Sequence, residues 1–83
     1  MRLSELGAHQ EGIVRDLRAT GTVRQRLMDM GFMPDTEIMV ERVAPTGAPV
    51  WVRVCGSQVA LRNGEADTIE VERADTSSGE VAR

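Results

Sequence analysis

Arg26-Leu27-Met28-Asp29-Met30-Gly31-Phe32-Met33-Pro34-Asp35-Thr36 is the stretch whose reading decides the fold. It reads as the end of a helix, a glycine stop and a proline turn that leads into a strand. The residue after the last turn of a helix commonly takes φ > 0, which glycine does without steric cost. Phe32, one residue on, is placed to fold back onto the helix, and Pro34 prevents the helix from resuming. A second loop, Ala44-Pro45-Thr46-Gly47-Ala48-Pro49-Val50, reads as a hairpin connection stiffened at both ends by proline. None of these residues is a nucleophile, a general base or a metal cluster, so what they specify is architecture.

Upstream of the stop, Val23, Leu27 and Met30 recur at helical spacing while Arg24, Gln25, Arg26 and Asp29 fill the other faces. With Thr22 as a candidate N-cap, this predicts one helix of two to three turns. Before it, Gly12 to Leu17 reads as a strand with Gly12 and Val14 on one face. Leu17 falls out of that alternation, which predicts a bulge near Asp16. Leu3-Ser4-Glu5-Leu6 is a short apolar anchor ahead of a turn at Gly7.

Downstream of Pro34 the period switches to two. Ile38 and Val40 point inward, with Glu37, Met39 and Glu41 outward; Val50, Val52 and Val54 alternate with Trp51, Arg53 and Cys55. Gly56-Ser57 is a turn, Val59 and Leu61 form another inward pair, Asn63-Gly64-Glu65 turns the chain again, and Ile69 with Val71 alternates against Glu70 and Glu72. From Ala74 to Arg83 the residues are small and polar and cannot bury enough apolar surface to order themselves. The expected organisation is one domain over 1–73 and a disordered tail over 74–83. The fold class is mainly β: a small antiparallel barrel with one short helix inserted after the first strand, whose closure would remove exposed strand edges.

Eighty-three residues make one small domain, close to the lower limit for a single core. A lone cysteine excludes an internal disulfide and suits a reducing compartment. No apolar run follows Arg2, which argues against a signal peptide, and no stretch approaches the roughly 20 apolar residues that span a bilayer. The cytosol is the expected location. A net charge of −3 argues against a nucleic-acid binder, whose affinity rests on phosphate neutralisation. All ten basic residues are arginine, and the run Arg15, Arg18, Arg24 and Arg26 is expected to form a solvated face. A single His, no Lys and no Tyr leave little beyond carboxylates for acid–base chemistry, and there is no Gly-rich phosphate loop, so a catalytic role is not expected.

His9 and Cys55 are the only strong nitrogen and sulfur ligands, and they sit on different elements. No cofactor is expected, and metal binding is expected only as weak, adventitious surface contacts at these two residues. Cys55 has no histidine close in sequence to activate it, and Met28, Met33 and Met39 suit adaptable packing or contact surface. The candidate partner-binding residues are Arg24, Met28, Met33 and Trp51. Arg24 and Met28 share an i, i+4 stripe away from Val23, Leu27 and Met30, Met33 follows the stop, and Trp51 projects from the central strand. An outward tryptophan either covers a cross-strand arginine stem or anchors a partner; a homodimer face would satisfy the same residues.

The order Leu3-Ser4-Glu5-Leu6, then Val14 and Leu17, then Arg26-Leu27-x-x-Met30-Gly31-Phe32-x-Pro34 resembles the FeoA family. So do Thr36-x-Ile38-x-Val40, Ala44-Pro45-x-Gly47-x-Pro49-Val50, and Ala60-Leu61-Arg62 followed by Ile69-x-Val71. The resemblance implies an SH3-like barrel and a cytosolic accessory protein of a FeoB-like ferrous iron transporter, bound to its cytoplasmic GTP-binding part. On that basis no nucleic-acid partner is expected, and the membrane is met only through the transporter. The alternative is a metal-responsive module akin to the C-terminal barrel of iron-dependent repressors, which the shortage of soft ligands disfavours. Three positions depart from the family pattern. His9 stands where Gly is frequent, with Gly7 expected to serve that turn instead. Asp35 follows Pro34 where Gly is usual, for which a type I turn is expected. Trp51 occupies an outward position that is usually polar.

Overall fold

The computed structural model describes residues 1–62 and 64–74. A 3-10 turn at Leu3–Glu5 is followed by β1 (Glu11–Leu17), the helix α1 (Gly21–Asp29), β2 (Glu37–Val43), β3 (Val50–Val54) and β4 (Ser57–Leu61). A second 3-10 turn at Ala66–Thr68 then leads into β5 (Ile69–Ala74). The five strands form one antiparallel sheet in the order β4-β3-β2-β1-β5. Alternation dictates the interior. Val14, Ile38, Val40, Val50, Val52, Val54, Leu61, Ile69 and Val71 are all buried, and Leu3, Leu6, Leu27 and Phe32 complete the core. Branched side chains dominate because they fill a pleated surface at little entropic cost.

Two bulges curl this sheet. In β1 the register against β5 shifts between Val14 and Asp16, as the position of Leu17 anticipated. In β2 the register against β3 shifts between Val40 and Arg42. Each extra residue bends its strand and increases the local twist. β4 and β5 stand at opposite ends of the order, so the barrel is a strongly coiled sheet and not a closed one. The two 3-10 turns pack on each other, and an isolated bridge between Arg2 and Glu70 ties the first segment to β5.

The helix stop forms as expected. Gly31 has φ 109°, Phe32 N–H donates to Leu27 O at 3.0 Å and Gly31 N–H donates to Met28 O at 3.0 Å. This pair of bonds is the Schellman closure, with Phe32 fully buried beneath it. An added Cβ at Gly31 would lie 3.2 Å from Cys55 Sγ and 3.3 Å from Val54 Cγ2, so the glycine also lets the helix end meet the β3–β4 turn.

Several local expectations are corrected. The helix starts at Gly21 with Thr20, not Thr22, at the N-cap position, and Thr20 makes no side-chain cap bond. Leu27 is its one fully buried side chain, whereas Val23 is 40% exposed. Met30 packs against the core as expected, and Met28, expected on the outer stripe, packs there as well. Three apolar residues over nine leave the helix's rotation unspecified, and the docking of Leu27 with Phe32 decides it. His9, not Gly7, takes the left-handed conformation of its turn, at φ 71°. Asp35 has φ 72°, and Thr36 N–H donates to Met33 O at 3.1 Å, so the Pro34 turn is of type II and not type I. Short polar residues tolerate this region best. Here the Asp35 N–H donates to Val14 O at 2.7 Å, which ties the turn to β1. Cys55 lies in the β3–β4 turn with Gly56, at φ 53° and 79°, not on the strand. Ala74, the last residue of β5, pairs with Glu11. Of the tail expected over 74–83, residues 75–83 lie outside the described residues.

Candidate partner-binding surface

The basic run does not form a patch. The Arg15 guanidinium reaches Asp35 and Glu72, each at 2.7 Å, and Arg18 lies 3.6 Å from Glu70. Arg26 pairs with Glu65 beside the second 3-10 turn. Arg24 donates through Nη1 to Leu17 O at 2.7 Å, so it braces α1 against the end of β1. Exposed ion pairs of this kind contribute little energy singly, about 0–1 kcal/mol. Their consequence here is that the positive charge is held against the fold. Arg24 and Met28 are thus both engaged by their own chain, whereas Met33, 47% exposed, is the apolar residue that the helix end presents outward.

Trp51 is half-buried on the outer face of β3. Its cross-strand neighbours are Arg42 on β2 and Ala60 on β4, and the Arg42 guanidinium lies 5.4 Å from the ring centroid. This cation–π contact shields one ring face. Strict alternation from Ile38 and Val40 would have turned Arg42 inward. The bulge at Glu41 reverses that parity and sets Arg42 opposite Trp51. Arg42, Val43, Ala44, Pro45, Pro49 and Trp51 together line a groove of about 410 Å³. Arg42, Pro45 and Pro49 were missed as site residues, because the bulge that gathers them leaves no mark in the hydrophobic pattern.

The four sequence candidates therefore do not form one patch. The helix stop abuts Val54 and Cys55, whereas Trp51 stands three residues back along β3, about 10 Å away at strand rise. It also lies on the sheet's outer face, opposite to that of Val54.

A second depression, of about 600 Å³, opens where β1, β2 and the β3–β4 turn meet, with Glu11, Asp35, Glu37, Met39, Arg53 and Cys55 among its lining. Among the described residues no three of His, Cys, Asp and Glu converge on a point where they could hold a metal. His9 and Cys55 are both exposed, in separate turns. Beside this depression Arg53 and Gln58 both donate to the Glu41 carboxylate, Gln58 at 2.6 Å. The Arg53 bond first, then that of Gln58, hold Glu41 below the usual carboxylate range. A folded pKa below the unfolded one means that the contribution to stability is present above the unfolded pKa and is lost as pH falls through the folded one. Carbon-detected NMR titration should show the Glu41 carboxyl midpoint below that of a free glutamate, and Arg53→Gln should move it upward. An unmoved midpoint would show that Arg53 does not hold this carboxylate.

No helix among the described residues is long and apolar enough to cross a membrane. The family model of the FeoA domain matches residues 1–73. An Fe(2+) transport protein A/Fe(2+) transporter FeoB fusion protein of Porphyromonas gingivalis is 38% identical over 72 residues, which is 87% of this chain. The chain spans 8% of that relative's length. The solution structure of FeoA from Chlorobium tepidum superposes with a TM-score of 0.84 at 37% identity, covering 90% of this chain and 71% of that one. The crystal structure of Stenotrophomonas maltophilia FeoA complexed with zinc, described as a prokaryotic SH3 domain protein, superposes with a TM-score of 0.71 at 34% identity. It covers 94% of this chain and 93% of its own. The Schellman stop at Gly31, the proline-braced hairpin and the coiled five-stranded sheet are thus the features of a member of the FeoA family, in its SH3-like fold, and the chain belongs to that family.

Proposed function

We propose that this protein is a cytosolic accessory subunit of a ferrous iron uptake system, which binds the cytoplasmic GTP-binding part of a FeoB-like transporter and modulates uptake without catalysis of its own. The observation that carries this reading is the fusion relative, in which a homologous segment and the transporter share one polypeptide. Fusion holds two modules at high effective concentration, which is useful where the separate proteins must meet. A small domain with a half-buried Trp51, an outward Met33 and a rigid hairpin suits binding better than chemistry. The direct test is titration of the labelled protein with the isolated cytosolic region of the cognate transporter, with and without nucleotide. Trp51→Ala should keep the fold and weaken binding by about 1 kcal/mol or more, the usual threshold for an anchoring aromatic. Met33→Asp is the cleaner probe of the helix end, because Met28→Asp would also bury charge against the core. Absence of binding under every nucleotide condition would refute the function. Binding that neither variant alters would move the contact surface elsewhere.

Metal is handled by the transporter on this reading, and the accessory protein needs no site of its own. Calorimetric titration of the monomer with ferrous iron or zinc should give no sub-micromolar binding. Ions that do bind should involve His9 or Cys55 with carboxylates and join neighbouring chains, because the described residues of one chain offer too few convergent ligands. A single-chain site of sub-micromolar affinity, abolished by His9→Ala, would favour the metal-responsive module instead.

A further inference from the structure

We propose that the groove beside Trp51 docks an extended partner segment in which an apolar side chain is followed closely by a carboxylate, the carboxylate pairing with Arg42. This rests on the reading above, in that the transporter's cytosolic region supplies the segment. The groove is apolar on its floor and both lips: Trp51, Val43, Ala44 and the rings of Pro45 and Pro49. Among the described residues its one charged lining residue is Arg42. Prolines carry no backbone N–H, so these lips add little donor capacity, and recognition of an anion falls to Arg42.

Arg42 is one of the described arginines whose guanidinium no carboxylate meets. Arg15, Arg18, Arg26 and Arg53 each meet a carboxylate, but Arg42 pairs with none among the described residues. Its sequence neighbour Glu41 is already taken by Arg53 and Gln58. A guanidinium held over an indole ring buries a face and keeps its planar N–H edge free, the edge that binds a carboxylate through two parallel bonds. Arg62 adds a second positive charge. It is exposed, pairs with no carboxylate among the described residues and stands two positions beyond Ala60, the cross-strand partner of Trp51. That diagonal spacing is within reach of a long side chain. A chain of net charge −3 therefore presents a positive charge, Arg42, at this apolar groove. The complement of such a surface is an apolar side chain with an anion beside it.

The groove is also built before any ligand arrives. Ala44 N–H donates to Pro49 O at 3.1 Å and Gly47 N–H to Ala44 O at 2.8 Å, so the loop is closed by its own backbone. A preformed cleft spares the entropic cost of ordering on binding.

The test uses the whole protein, labelled with 15N, and overlapping synthetic peptides that tile the cytosolic region of the cognate transporter. The expected result is that the peptides which shift the Trp51 indole resonance contain an apolar residue within two positions of Asp or Glu. Replacing that acid by its amide should weaken binding at least tenfold. Arg42→Glu should weaken it at least tenfold with an unchanged melting temperature, and Arg42→Lys should fall between, since lysine keeps the charge but not the fork. If the intact cytosolic region binds while the Trp51 resonance stays still, or if Arg42→Glu has no effect, this docking chemistry is overturned and the accessory function stands. Shifts at Trp51 that depend on protein concentration alone would assign the groove to a second copy of this chain and also overturn it. If the intact region does not bind at all, both readings fall together.

Discussion

Val52→Asp is expected to destabilise the domain by several kcal/mol, enough to unfold a protein whose whole stability is about 5–15 kcal/mol. Val52 is fully buried in the middle of β3, between Val40 on β2 and Val59 on β4. No basic residue lies among the buried core side chains, so an aspartate there would be neither paired nor hydrated. The comparison is Arg53→Gln, one residue along and on the outer face, which removes an exposed pair with Glu41 and should cost no more than about 1 kcal/mol. Arg53→Asp would be a poorer control, because it would set a carboxylate beside Glu41. Chemical denaturation of both variants decides the matter. Equal midpoints would mean that the register of β3 is wrong.

Gly31→Val should cost about 2–6 kcal/mol, from two sources that can be separated. A β-branched residue at φ 109° is a backbone outlier, with strain on the order of 1–3 kcal/mol. Its side chain must also displace Cys55 Sγ and Val54 Cγ2, which an added Cβ alone approaches to 3.2 and 3.3 Å, and overpacking costs roughly 1–3 kcal/mol. Gly31→Ala in wild type and in a Cys55→Ala background forms a double-mutant cycle. The cost of the alanine should drop by several tenths of a kcal/mol when the thiol is gone, and the backbone share should remain. A cycle with no coupling would show that the helix end and the β3–β4 turn do not touch as described. A Gly31→Val variant as stable as wild type would overturn the left-handed stop itself.

The elements most easily read from the chain were those that a local rule specifies alone. Alternation assigned Val50, Val52 and Val54, with Ile38 and Val40, to the interior, because a period of two offers only two choices and one of them buries charge. The stop at Gly31 was equally legible, since glycine before a buried aromatic and a proline satisfies conformational and hydrogen-bonding demands within six residues. The helix face was not. Three apolar residues in a nine-residue helix permit more than one rotation, and the contact of Leu27 and Phe32 with the sheet selected the one that exposes Val23 and half-buries Met28. Turn conformations were misjudged for a similar reason. Asp35 and His9 accept left-handed backbones that residue preference discourages, and for Asp35 the bond of its N–H to Val14 O offsets the local cost.

The candidate site divides along the same line. Trp51 was visible as an outward tryptophan on a strand, and family resemblance pointed to the partner; both follow from residue identity and order. What stands beside Trp51 was settled only by tertiary structure. The bulge at Glu41 inverts the parity of β2, brings Arg42 out over the indole and sets both against Pro45 and Pro49. A bulge is the joint outcome of two strands' register and twist, and no single strand's sequence encodes it. The sequence alone thus determined which strand residues are buried and where the helix stops, because those are decided by each segment's own chemistry. Which surface residues meet, and so where an apolar groove and a charge stand side by side, was decided by how the strands pair.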